Sequence, residues 1–451
     1  MQCRHCNAKM WYNERISKRK NSTSPRFSLC CGDDKVELPL LQNSPKYLHR
    51  LLFDHNSADG RNYQQNICTY NMMFAFTSTS IKLDKSINHL RGPSTIRIQG
   101  QPCHRISSLL PMSGKEPKFA QLYIFDTDNE VQNRINVISQ HDGIQPQIIS
   151  SLGEMLDEHN AHAKSFRMTR DRLANSDVDN VRLRLITTRE KDGRTYNVPT
   201  VSEVAALIVG DFNPNSRRDI IVETQNGQLQ RIHELHSNYL GLQFPLLLPY
   251  GEDGYRLDIL HRATLDNKKR KRNRLTMREW FAYRLQSRPN EAQTLLHSRR
   301  LFQQFIVEAY TMVESEKLNY IRNNQKKLRV DKYCSLQNSL DDGTIQGLNK
   351  GKRVIWPSTF VGSPRYMDQL YFDGMAICNH DFPNLFITLT CNLNWPEIHR
   401  LLAPLNLKVA DRPDIMSRVF KLKYEEMLSD LTKNHLLGKA VAYMHTIEFQ
   451  K

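Results

Sequence analysis

The segment Asn384-Leu385-Phe386-Ile387-Thr388-Leu389-Thr390-Cys391-Asn392-Leu393-Asn394-Trp395-Pro396-Glu397-Ile398 constrains the fold more than any other. Its first half reads as a short buried strand. Thr388 and Thr390 would point to one face, Ile387 and Leu389 to the other. Cys391 to Asn394 then break the strand, and Trp395-Pro396-Glu397 opens a helix with proline near its first turn. A strand that presents hydroxyls and ends in an Asn-rich turn can hold a nucleic-acid backbone or orient a metal ligand. An ordinary core strand followed by an ordinary turn is the plainer alternative, and chemistry alone favours it.

The wording of the segment and of its neighbours adds to that reading. Phe386 to Asn392 with Trp395-Pro396-Glu397-Ile398, then Asp411-Arg412-Pro413-Asp414-Ile415, then His445-Thr446-Ile447-Glu448-Phe449-Gln450-Lys451, resembles in order the replication-initiator region of the Helitron transposases. Upstream, Pro117 to Asp126, Asp192 to Asn197 and Phe244-Pro245 to Tyr255 are similar to that family's N-terminal region. The resemblance is collinear over nearly the whole chain. It implies a DNA transposon protein that joins a rolling-circle nickase to an ATP-dependent helicase.

The resemblance also defines what to look for and not find. In the family a His-hydrophobic-His strand follows the segment ending at Lys451, and nucleophilic tyrosines come later. No His-x-His occurs in this chain, nor any Gly-x4-Gly-Lys-Ser/Thr loop that cradles phosphates. Lys115 after Gly114, and Lys352 after Gly351, lack the spacing and the hydroxyl. In a complete relative, a divalent ion (Mg or Mn) would polarise the scissile phosphate and a tyrosine would hold the DNA end covalently. The resemblance makes Glu448 the candidate third ligand to that ion. It puts Thr388, Thr390, Asn392 and Gln450 beside the site as remnants. No nicking activity and no ATP site are expected of the chain as given. Three readings follow: a DNA-binding N-terminal fragment of a Helitron protein, a truncated record of an active endonuclease–helicase, or a host-retained, non-enzymatic DNA-binding module.

Composition agrees with a polyanionic partner. The 451 residues carry a formal net charge of +16, with 39% hydrophobic and 9% aromatic residues. That length suffices for two or three cored domains, and the charge points to nucleic acid, although a basic protein without such a partner has the same arithmetic. No apolar run reaches the roughly 18–20 residues of a membrane span, and the polar, basic first 20 residues are not a secretory signal. The nine cysteines therefore read as reduced thiols or metal ligands.

Cys3-Arg4-His5-Cys6 is a Cys-x2-Cys knuckle, a spacing that turns two thiolates toward one ion. A zinc site needs two more ligands. Cys30 or Cys31 can supply one, adjacent residues rarely supply both, and His5, His49, His55 and Cys68 are alternatives. The candidate zinc set is Cys3, Cys6, Cys30 and Cys31; an incidental Cys pair is the competing reading.

Residues 267–274 place six cations in eight positions, a solvated linker and a nuclear-targeting or phosphate-binding patch. The candidate DNA contacts are Lys268, Lys269, Arg270, Lys271 and Arg272, then Arg299, Arg300, Lys326 and Lys327. Any one of them serves equally well as plain helix or loop surface. The expected partner is DNA, single-stranded, in the nucleus, with no membrane role; full-length transposase is a second candidate partner.

The predicted class is α+β and multidomain. Residues 1–40 are the zinc module, 41–266 an α+β region and 267–274 the linker. Residues 275–451 are an incomplete replication-initiator fold with an antiparallel sheet and helices. Helices are expected at 48–53, 144–160 and 371–378, at 415–431, and after a Thr276/Glu279 capping box. A second helix over 295–317 should turn Leu301, Phe302, Phe305, Ile306, Ala309, Tyr310 and Met312 inward. Strands are expected at 92–101, 122–126, 181–186, 385–390 and 440–449, with 204–209 a strand or a helix end. The 440–449 strand would lack its hairpin partner, an edge prone to aggregation. His233/His236 and His159/His162 lack metalloprotease spacing and read as surface or loop histidines. Glu252-Asp253-Gly254 reads as a turn.

Overall fold

Apolar residues at helical spacing become helices wherever the sequence carries them. The computed structural model describes residues 1–16, 24–83, 98–137, 143–174, 181–209, 219–224, 229–262, 273–325, 354–379 and 383–447. Helices α1 Lys46–Phe53, α2 Ala58–Gln65 and α3 Ile67–Phe74 lead to strand β1 Ser78–Leu83 and strand β2 Ile98–Ile106. Next come α4 Glu130–Asn136, α5 Pro146–His159 and α6 Ala161–Ala174, then β3 Val181–Leu185, α7 Val201–Val204, β4 Ala205–Val209, β5 Ile220–Val222, β6 Gln230–Ile232 and α8 Tyr239–Gln243. The remaining helices are α9 Met277–Arg284, α10 Thr294–His297, α11 Arg299–Asn323, α12 Pro364–Cys378, α13 Pro396–Leu402 and α14 Pro413–Thr432. The class is α+β, as expected.

Two small antiparallel sheets form, ordered β1-β2-β6 and β4-β3-β5. Strand β3 is central in the second, paired with β4 and β5 on its two edges, and its residues alternate inward and outward, with Val181, Leu183 and Leu185 buried. Residues 201–209 resolve as both alternatives in turn. Thr200 and Glu203 cap a single helical turn, with Glu203 Oε2 accepting from Thr200 N at 2.7 Å, and β4 follows directly. The expected strand at 122–126 is instead a 3-10 turn, Phe119–Tyr123. Gln121 ties it to the Ser108 and Leu110 carbonyls at 3.1 Å each, and the Tyr123 hydroxyl donates to Phe74 O at 2.8 Å. Of the 92–101 expectation, residues 98–101 lie in β2 and 92–97 lie outside the described residues.

The chain divides into two compact units, Met1–Met312 with Pro396–Ile415, and Val313–Trp395 with Met416–Lys451. In the first, Phe76 stacks on Tyr123 at 4.4 Å and meets Phe166 at 5.1 Å. The buried Arg134 guanidinium lies between the Phe74 and Tyr123 rings, 4.4 and 4.5 Å from their centroids, and is neutralised by Glu130 at 2.7 Å. Glu130 also accepts from Arg167 at 2.6 Å. Residues on both sides of the basic run belong to this unit: Leu275 N donates to Ile259 O at 2.9 Å, Tyr283 to Leu38 O at 3.2 Å, and Ala292 N to Leu41 O at 3.0 Å. The Thr276/Glu279 box forms, with reciprocal bonds of 2.9 and 3.2 Å. Leu301, Phe302, Phe305, Ala309 and Met312 are buried as expected, whereas Ile306 is half-buried and Tyr310, at 77% exposure, faces solvent.

In the second unit, α12 begins at a Ser363 cap whose hydroxyl accepts from Tyr366 N at 3.2 Å. Trp356 stacks on Phe360 at 4.9 Å, and the Gln325 amide closes both backbone groups of Ile355 at 3.0 and 3.2 Å. The strands expected at 385–390 and 440–449 are absent among the described residues: 385–390 and 440–447 make no ladder, Phe386 is 97% exposed and Val441 94% exposed. An apolar run of this kind becomes a strand only when a neighbour takes its backbone donors and acceptors, and among the described residues neither run has one. No helix among the described residues is long and apolar enough to cross a membrane.

Candidate metal centre and basic surface

Two tight turns build a four-cysteine cluster. In the first, Asn7 N donates to Cys3 O at 2.8 Å and Cys3 N to Ala8 O at 2.9 Å, with Asn7 in the left-handed region at φ 57°. In the second, Gly32, Asp33 and Asp34 run consecutively at φ 61°, 58° and 70°. Gly32 N donates to Ser28 O at 3.1 Å, and Lys35 N and Val36 N both donate to Cys31 O at 2.9 Å. Three left-handed residues in a row coil the chain tightly enough for neighbouring cysteines to face one point.

That geometry brings together all four cysteines of the candidate set, including the neighbours Cys30 and Cys31, which adjacent positions rarely achieve. The sulfurs of Cys3, Cys6, Cys30 and Cys31 lie within 4.8 Å of one another. Cys3 and Cys31 are 3.8 Å apart and Cys30 and Cys31 3.9 Å. Tetrahedral zinc with bonds of about 2.3 Å sets its sulfurs about 3.8 Å apart, so the donor set fits that ion. Asp34 N points at Cys31 Sγ from 3.4 Å, an N–H···S bond that supports thiolate character. Hydrogen bonds from Cys30 and Cys31 pull the Cys6 thiol far below its usual range, and the contacts of Cys30 with Cys31 and then Cys6, with burial, push the Cys30 thiol up. Cys3, Cys30 and Cys31 are buried, and Arg288 Nη2 approaches Cys6 Sγ at 3.9 Å, placing a cation beside the sulfur charge. Lys9 N, donating to Ser287 O at 2.8 Å, ties the knuckle to the first unit.

The alternative ligands are engaged elsewhere. His5 lies 3.4 Å from Asp34 and 3.8 Å from Asp33, His49 packs on Phe53 at 4.5 Å, and His55 Nδ1 is 3.1 Å from Gln64 Oε1. Cys68 is half-buried outside the cluster.

Of the expected DNA contacts, Arg299 and Arg300 begin α11. Arg299 reaches Asp411 at 3.2 Å, Gln64 Oε1 at 2.8 Å and Asn406 O at 3.3 Å, while Arg300 is exposed. Lys268, Lys269, Arg270, Lys271, Arg272, Lys326 and Lys327 lie outside the described residues, as do Glu448 and Gln450. Thr388, Thr390 and Asn392 are exposed on the extended segment, and Asn392 Oδ1 accepts from Asn394 N at 2.8 Å, which turns the chain toward α13.

Several buried polar residues escaped the sequence reading. Asp253, taken for a turn residue, is buried between Arg189 at 2.9 Å and Arg256 at 3.6 Å. Burial pushes the neighbouring Glu252 carboxyl up to about 7. His162 and His236 are core residues, not surface ones, and burial pushes their rings down to about 3 and about 4. His162 fits because position 241 is glycine: a Cβ there would lie 2.7 Å from its Nε2. The acidic pair at 252–253 with Arg256 three residues on was the available signal, but the closer partner, Arg189, is 64 positions away.

The comparisons with known proteins bear on the C-terminal part. No curated protein matches the chain. Residues 280–451 match the family described as the Helitron helicase-like domain at the N-terminus. This stretch, well under half of the chain, is therefore similar to a Helitron helicase-like N-terminal region.

Proposed function

We propose that this chain is the DNA-holding N-terminal part of a Helitron-type rolling-circle protein, with a structural zinc ion in its four-cysteine cluster. The match over residues 280–451 carries the reading. The net charge of +16 supports a phosphate-rich partner, and single-stranded DNA is the form we propose. Zinc held by Cys3, Cys6, Cys30 and Cys31 would clamp the two turns together and take no part in chemistry. The work proposed for these residues is to bind DNA, in the nucleus.

Fluorescence anisotropy of a labelled single-stranded oligonucleotide with the full chain tests the proposal. The expected result is tight binding at low salt that weakens steeply as salt rises. Absence of binding at low salt would overturn it, and cleavage of the oligonucleotide with Mg or Mn would favour the second reading, an active nickase.

A further inference from the structure

We propose that the cleft formed by Arg61, Gln64, Arg299, Arg300, Lys408 and Asp411 seats a backbone phosphodiester of single-stranded DNA. The inference rests on the DNA-binding reading above and locates one contact within it. Three pieces of the first unit meet here: α2 brings Arg61 and Gln64, the start of α11 brings Arg299 and Arg300, and the turn after α13 brings Lys408 and Asp411. The cleft encloses about 390 Å³, within the ordinary range for ligand sites of about 300–1,000 Å³.

Its charge is one-sided. Four cationic side chains face one carboxylate, and Asp411 is already committed to Arg299. Arg61, exposed at the rim, is braced by its Nη1 donating to Asn56 O at 2.9 Å. Arg300 and Lys408 are exposed.

Arg299 is built into the floor. Its two Nη atoms are held by Asp411, Gln64 and Asn406, and its Nε is buried with no hydrogen-bond partner. That bracing fixes the Arg299 charge at the floor of the cleft, beside the exposed Arg300. Arg299 at φ 48° and Asn406 at φ 51° are both left-handed, so two strained residues fix this wall.

The lining also says what is read. Among the described residues that line the cleft there is no aromatic ring, hence no platform on which a base could stack. Guanidinium and ammonium groups on a rigid floor hold phosphate and position the strand without reading sequence.

The test uses the full chain, a fluorescein-labelled oligothymidylate and a KCl series. Replacing Arg300→Gln and Lys408→Gln together should weaken binding about tenfold near physiological salt and flatten the log–log salt slope by about 1.4, at about 0.7 per lost single-strand contact. The charge-preserving pair Arg300→Lys and Lys408→Arg should keep both affinity and slope. Lys46→Gln with Arg50→Gln, on an exposed face of α1, should bind like the unaltered chain. An unchanged slope in the neutral pair, while the unaltered chain binds, would overturn the cleft and leave the DNA reading standing. Loss of binding by the charge-preserving pair would likewise overturn it. Failure of the unaltered chain to bind would remove both.

Discussion

The two compact units solve the problem of apolar surface differently. The first buries aromatic clusters around Phe76, Tyr123 and Phe166, encloses a complete ion-pair network at Arg134 and gathers four cysteines. In the second, the buried apolar side chains among the described residues are Ile321, Ile355 and Val419, while Tyr371, Phe372, Phe386 and Val441 face solvent. Both units contain good helices. Helical propensity alone therefore makes elements, and a core forms only where elements from distant parts of the chain meet.

Metal removal should separate the units most sharply. One zinc per chain is expected by elemental analysis, and binding of this kind is worth about 10–16 kcal/mol in small zinc modules. Chelation, or Cys30→Ser, should lower the melting temperature of the first unit and expose residues 1–40 to protease. An unchanged melt with no bound metal would show that the cluster is not a metal clamp.

Asp253→Ala comes next. It leaves Arg189 and Arg256 buried without their shared carboxylate, a change that costs about 3–5 kcal/mol. Denaturant unfolding should register it in the first unit alone. A cost below about 1 kcal/mol would mean that water reaches this pair.

Glu252 gives the comparison a pH axis. Its carboxyl, ordinarily at 4.5, is raised to about 7 by burial. The folded state therefore binds its proton more tightly than the unfolded chain does. The stability this confers is present below pH 4.5 and is lost as pH rises through about 7. The shift amounts to about 3 kcal/mol. The stability difference between the unaltered chain and Glu252→Gln should therefore change over that window and be flat above it. A flat difference from pH 4 to 8 would contradict the burial of a protonated carboxyl.

The smallest effect belongs to the second unit. Phe386→Ser and Val441→Ser remove exposed side chains, and exposed substitutions change stability by about 0.5 kcal/mol or less. A loss of several kcal/mol from either would show that these residues are covered in solution, and would erase the contrast between the units.

Sequence reading succeeded where the signal is local. The periodicity of Ile148, Ile149, Leu152, Met155 and Leu156 forecast α5, and the Thr276/Glu279 pair forecast the start of α9. The alternation at 181–185 forecast β3 because that strand carries its own inside and outside. It failed where the outcome depends on a partner. The Thr388/Thr390 segment has strand composition but no strand neighbour among the described residues, and Tyr310 fits the apolar stripe of α11 yet lies on its solvent side.

The same division holds for the candidate sites. The sequence by itself determined the basic charge, the Cys-x2-Cys knuckle, the family wording of residues 386–398 and most helix positions, because each is a property of residues close together in the chain. Only the tertiary structure decided that Cys31 joins Cys30 in one cluster, that Asp253 is a buried counter-ion, and that Arg61, Arg299 and Lys408 share a cleft. Those juxtapositions bring together residues separated by tens to hundreds of positions. Left-handed turns at 32–34 and packing around α2 and α11 create them, and no local pattern encodes such distances.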